Sequence, residues 1–229
     1  MDFFILMIII MVVMGLASQR VKATFMRFSK VPNRRRMTGA QAARYILDSN
    51  GLTDVAVERV AGDLTDHYDP RSRVLRLSQS VYDNYSVSAV GVAAHEAGHA
   101  LQDKTGYVPL MFRQSFYPIA NIGSNFGMLL IFMGMVGIFI LGDFGIMIAL
   151  AGLALYACAV LFTIVTLPVE FNASKRALAA LTQYGIVTQE EHEGTRKVLN
   201  AAALTYVAAA VGSVLTLLYY ASIIMGGRD

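Results

Sequence analysis

Apolar runs and polar segments alternate along the chain, and the lengths of the runs set the first expectations. Four stretches carry almost no charge: Phe3–Ala17, Ile119–Leu141, Phe144–Val169 and Ala201–Met225. A helix needs roughly 20 apolar residues to cross a bilayer, so the last three predict membrane spans. The first run is shorter, and at about 1.5 Å per residue it fits either a short anchor or a partly interfacial helix. Between the first and second runs the pattern turns polar. There Thr38 to Gly51 reads as a helix, with Thr38 as N-cap and Asn50-Gly51 as its stop. Val55–Val60 and Arg73–Ser78, with the turn residues Asp69-Pro70-Arg71-Ser72 between them, read as short antiparallel strands. A second helix follows from about Ser86 to Asp103.

Composition strengthens the membrane reading. Of the 229 residues 55% are apolar and 15% charged, against roughly a quarter charged in an average soluble domain, which excludes a soluble globular protein. The net charge of +3 does not describe a nucleic-acid binder, because 18 of the 19 Lys and Arg lie at 20–113 or 175–197 and only Arg228 lies elsewhere. Positive residues gather on the cytoplasmic side, so both polar segments are expected there. The N-terminus, the Gly142-Asp143 turn and the C-terminus then face outward. The first run ends in Gly15-Leu16-Ala17 like a secretory signal, but Asp2 precedes it and positive charge follows it, the reverse of a signal's flanks. An uncleaved anchor is the expectation, with Arg34-Arg35-Arg36 as the topology signal that pins it. Cys158, the single cysteine, has no intrachain disulfide partner.

The chemistry gathers in His95-Glu96-Ala97-Gly98-His99, an H-E-x-x-H arrangement within the second predicted helix. Four residues at about 100° each bring the two imidazoles onto one face, one turn apart, where they can share a Zn²⁺. Glu96 points beside that pair, placed to take a proton from water and pass it to a leaving amine. A catalytic zinc usually takes three protein ligands and leaves one position to water. Asp103 sits on the next turn of the same helix, poorly placed to close the coordination, and position 105 is Thr. No Asp, Glu or His occurs between Asp103 and Asp143, and Asp143 is expected across the membrane. Glu170, two positions after Pro168, is the first acidic residue back on the cytoplasmic side. An ionisable residue at the end of an apolar run is expensive and usually functional, which makes Glu170 the candidate third ligand. Its alternative is an interfacial carboxylate paired with Lys175 or Arg176.

His95-Glu-Ala-Gly-His99, a two-span hairpin, and then Pro168-Val-Glu170-Phe-Asn-Ala-Ser174-Lys-Arg-Ala177 closely resemble the YugP-like bacterial neutral zinc metallopeptidases. The resemblance extends over essentially the whole chain. More distantly the chain is similar to the membrane gluzincins, with H-E-x-x-H on one helix and E-x-x-x-D on another. The resemblance implies Zn²⁺ as cofactor, His95, His99 and Glu170 as its ligands, Glu96 as general base, and a protein or peptide substrate. It also implies a multi-pass protein of a bacterial plasma membrane. Ser174 stands where the wider pattern has Asp: either its hydroxyl supports a ligand imidazole without a charge, or it merely packs on the helix face of Glu170, Ala173 and Ala177.

The expected fold is a mainly α membrane protein of about four transmembrane helices with a small cytoplasmic α+β zincin-like domain. Its parts are an anchor at 1–18, a basic linker at 19–36, the α+β metallopeptidase domain at 37–116, a transmembrane hairpin at 117–168, a cytoplasmic segment with the third ligand at 169–200, and a last span at 201–225. His67 reads as a surface turn residue, and His192 as part of a solvated loop or helix start. His192, Arg176 or a tyrosine remains available to stabilise an oxyanion. Arg73–Ser78 is either an open edge for an extended substrate or a structural strand. An intramembrane metal is disfavoured because only about 16 residues separate Ser86 from Asp103 and they hold two His and a Glu. The non-enzyme alternative is a membrane scaffold or chaperone-like protein with a non-catalytic zinc. Structural zinc sites are usually rich in Cys, which this chain lacks outside a span.

Overall fold

The computed structural model describes residues 3–226. Asp2 and Arg228, two charges used above to read the topology, lie outside the described residues. Local caps set the first elements. Helix α1 (Phe3–Phe28) runs past the apolar stretch and through most of the basic linker. Helix α2 (Gly39–Ser49) starts on a reciprocal capping box: Gln41 N–H donates to Thr38 Oγ1, and Thr38 N–H donates to Gln41 Oε1. It stops at Asn50, followed by Gly51 with φ of +67°, a conformation that favours glycine.

Strands β1 (Ala56–Val60), β2 (His67–Asp69) and β3 (Val74–Ser78) follow. The sheet order β1-β3-β2 corrects one expectation and decides between two alternatives left open above. First, β1 and β3 pair parallel, with Ala56 opposite Val74 and Val60 opposite Ser78; the antiparallel partner of β3 is β2, with Tyr68 opposite Leu75. The Asp69–Ser72 turn therefore closes a β2–β3 hairpin. The missing element was β2, a three-residue strand too short for any alternation to register. Second, β3 is the central strand, with Val74, Leu75, Leu77 and Ser78 buried, so it presents no open edge.

A single turn, α3 (Gln79–Tyr82), leads to α4 (Val87–Lys104), whose first amides are met by the Ser86 side chain, Ala89 N–H donating to Ser86 Oγ. Helices α5 (Val108–Leu141), α6 (Asp143–Gln183) and α7 (Gln189–Gly226) complete the chain. Among the described residues, α1, α5, α6 and α7 are the helices long and apolar enough to cross a membrane. The fold is thus mainly helical, with four candidate spans and a small three-stranded sheet.

The chain divides into two compact units. One gathers the described residues of 1–14, 111–168 and 206–229. Large apolar side chains such as Phe132, Phe139, Ile140 and Met147 point outward there, as lipid requires. Inside, α5 and α6 approach closely because Gly127 and Gly134 of α5 lie directly against the backbone of Tyr156 and Ala149. Thr163 and Ser213 hydroxyls meet at 3.0 Å between α6 and α7, satisfying polar groups that lipid would not.

The other unit comprises Gly15–Leu110 and Val169–Thr205. Its core joins Ile46 and Leu47 of α2, Leu75 and Leu77 of β3, Val81 of α3, and Leu181 of α6 around α4. Helix α4 is buried on several sides because it is built from small residues, Ala89, Ala93, Ala94, Ala97, Gly98 and Ala100 among them. Of the α4 glycines, Gly98 is the closer fit: a Cβ there would lie 2.5 Å from the Ala173 carbonyl oxygen. The absence of a side chain at this one position lets α4 lie against the turn of α6 that carries Glu170.

Candidate metal centre

The H-E-x-x-H segment is helical, and its two imidazoles stand edge to face with ring centroids 4.8 Å apart. Pro168 lies inside α6, so Glu170 and Ser174 are four apart on one continuous helix. Glu170 Oε2 lies 3.2 Å from His95 Nε2 and 3.6 Å from His99 Nε2. Two ligand atoms each about 2.1 Å from a tetrahedral zinc sit about 3.4 Å apart, so both spacings match a shared ion. One ligand atom from each of the three residues falls within 4.8 Å of the others. The donor set of two imidazoles and a carboxylate suits zinc. Glu170 is 3% exposed, and its carboxylate faces both histidines.

Ser174 Oγ is 3.1 Å from His95 Nδ1, the nitrogen that faces away from the convergence point. Of the two alternatives for Ser174, this contact favours support of an imidazole. On the other histidine, Gln102 Oε1 is 3.0 Å from His99 Nδ1. Sequence reasoning missed Gln102; the available signal was its place three residues after His99, on the same helix face.

Glu96 is buried beside the pair but outside the convergent set. Burial pushes its carboxyl up to about 7; the neighbouring His95 acts the other way, while the Glu170 and Asp66 carboxylates reinforce the rise. A base whose proton affinity lies near neutrality is suited to proton transfer at neutral pH.

The remaining candidates are placed elsewhere. His67 lies on β2, exposed, with Nδ1 2.8 Å from the Thr65 carbonyl. His192 stands in the first turn of α7, the helix-start reading, and is not in the convergent set. Asp103 accepts a hydrogen bond from Tyr68 Oη at 2.9 Å. Arg176 Nε donates to Asn172 Oδ1 at 2.8 Å and a terminal nitrogen to the Leu101 carbonyl. Cys158 is a free, half-buried thiol of α6.

A His-His-Glu set with both histidines on an H-E-x-x-H helix, in a chain with four helices apolar enough to cross a membrane, is the donor arrangement of a candidate membrane zinc metallopeptidase. Residues 3–225 match the family described as "Putative neutral zinc metallopeptidase", and the chain belongs to that family. It is 48% identical over 213 residues to the "Putative membrane protease YugP" of Bacillus subtilis (strain 168), covering 93% of this chain and 92% of that protein. No solved structure matches the chain.

Proposed function

We propose that the protein is a zinc-dependent endopeptidase of the gluzincin type, embedded in a bacterial plasma membrane by several spans and working at its cytoplasmic face. The observation that carries this reading is the convergence of His95 Nε2, His99 Nε2 and the Glu170 carboxylate at zinc-ligand spacing. These three residues would hold the ion, which when bound polarises the scissile carbonyl and makes water a stronger acid. Glu96, beside them and raised in proton affinity, takes the proton of the attacking water and returns it to the leaving amine. Ser174 keeps His95 turned toward the centre. The polar unit around α4 acts as the zincin-like domain, with a protein or peptide as substrate.

Purified protein in detergent is expected to carry about one zinc per chain and to cleave an unfolded protein substrate. Stripping by a chelator should abolish cleavage and zinc should restore it; cleavage indifferent to chelation would overturn the reading.

The cytoplasmic placement rests on the clustering of Lys and Arg in the polar segments. It is tested by Asp63→Cys and Asp143→Cys, both at exposed positions, in a Cys158→Ser background. An impermeant thiol reagent is expected to label position 143 in intact cells and position 63 only in inverted vesicles. Labelling of position 63 from outside would reverse the assigned face.

A further inference from the structure

We infer that Gln102 is a positioning residue of the metal centre: its side-chain amide, held in one orientation, compels His99 to carry its proton on Nδ1 and so to present a bare Nε2 to the metal. This inference rests on the reading of His99 as a ligand. The two ends of an amide are distinguished by their partners, and here the partners leave one solution. Gln102 Nε2 is 2.8 Å from the Val169 carbonyl oxygen, a group that only accepts. It is also 3.0 Å from Asn172 Oδ1. The end that Asn172 presents is fixed in turn by Arg176 Nε, which donates to the same Oδ1 at 2.8 Å and has no acceptor to offer. Both amide hydrogens of Gln102 are therefore spent on α6.

What remains for His99 is Gln102 Oε1, an acceptor, 3.0 Å from Nδ1. A neutral imidazole has one N–H, and it must lie on Nδ1 to meet that oxygen. The competing acceptor, Glu170 Oε2, stands 3.6 Å from His99 Nε2, beyond hydrogen-bond length, so the N–H goes to Gln102 and Nε2 keeps its lone pair. Gln102 is fully buried, so bulk water offers no ready substitute for the missing acceptor. Ser174 imposes no such choice on His95, because a hydroxyl both donates and accepts. The Gln102 amide also joins two ligand-bearing turns: its acceptors on α6 belong to Val169 and Asn172, on either side of Glu170 in the chain.

The test compares full-length wild type, Gln102→Met, Gln102→Glu and His99→Ala in detergent. Zinc affinity is read by competition with a chromophoric chelator, and the His99 tautomer by ¹⁵N imidazole spectra of the metal-free protein. Wild type is expected to hold His99 as the Nδ1–H form. Gln102→Met keeps the shape but removes the acceptor, so His99 shifts toward the Nε2–H form and zinc affinity falls about 10- to 100-fold. Gln102→Glu still offers an acceptor, ionised or protonated, and is expected to restore the Nδ1–H form and most of the affinity. An Nε2–H tautomer in the wild type overturns the inference whatever the variants do. So does a folded Gln102→Met that keeps wild-type tautomer and affinity, or a Gln102→Glu tautomer that shifts as far as that of Gln102→Met. Unchanged zinc affinity in His99→Ala would instead remove the ligand reading beneath it, and the two failures are thereby told apart.

Discussion

Glu96→Gln is expected to lower turnover by about 10²- to 10⁴-fold while leaving zinc affinity close to that of the wild type. Glu96 lies outside the convergent donor set, and Gln keeps its shape, so the metal loses no ligand. What the variant loses is a group that accepts a proton. Burial pushes the Glu96 carboxyl up to about 7, and a general base works only when deprotonated, so kcat/KM should rise with pH through an acid limb at or below that value. A bound cation lowers the limb further by favouring the carboxylate. In Glu96→Gln the limb assigned to this group should be absent from the residual rate. The same residue ties pH to stability in the metal-free protein. Its folded value lies above the ordinary 4.5, so its contribution is fully present below pH 4.5 and lost as pH rises through about 7. Melting curves in chelator should show wild type losing stability over that window relative to Glu96→Gln, which does not titrate there. Full proteolysis by the variant would remove Glu96 as the base.

The parts of this molecule legible in the sequence are those set by neighbours in the chain. Thr38 and Ser86 announce the starts of α2 and α4 because a cap reaches only two or three residues ahead. His95 and His99 declare a shared face through the helix repeat alone. Glu170 is recoverable by elimination, since acidic residues are so scarce between Asp103 and the third apolar run. The helices overrun the apolar stretches because an apolar window registers only what lipid demands. The backbone ladder of α6 continues past Pro168 to Gln183, and its polar continuation carries Glu170, Asn172 and Ser174. The parallel pairing of β1 with β3 was hidden because strand register depends on partners distant in sequence and on the brief β2. Gln102 was hidden for a related reason. A glutamine near a helix end reads as solvated, and only the arrival of Val169 and Asn172, 67 and 70 residues later, shows what its amide does.

Loss of the third ligand should be read at the metal before it is read at turnover. Glu170→Ala is expected to weaken zinc binding by more than about 100-fold, exceeding the loss typical of outer-sphere partners, and to abolish detectable cleavage. Glu170 supplies the only carboxylate of the set, and without it two imidazoles remain on a single helix turn. The wild-type centre does something the histidine pair alone does not. It joins α4 to a residue of α6 75 positions away, so zinc held by all three residues is expected to stabilise the packing of those segments as well. An ion that binds only the folded chain at about 1,000 times its Kd adds about 4.1 kcal/mol to stability. Wild type should therefore melt at a clearly higher temperature with zinc than with chelator, whereas Glu170→Ala at the same zinc concentration should show a much smaller difference. Its metal-free melting separates ligand loss from general damage, because a small residue in place of a buried carboxylate removes a desolvation cost as well as a contact. Full zinc affinity in a folded Glu170→Ala, together with an undiminished zinc-dependent shift, would place the third ligand elsewhere and break the link between α6 and the H-E-x-x-H helix on which the proposed chemistry depends.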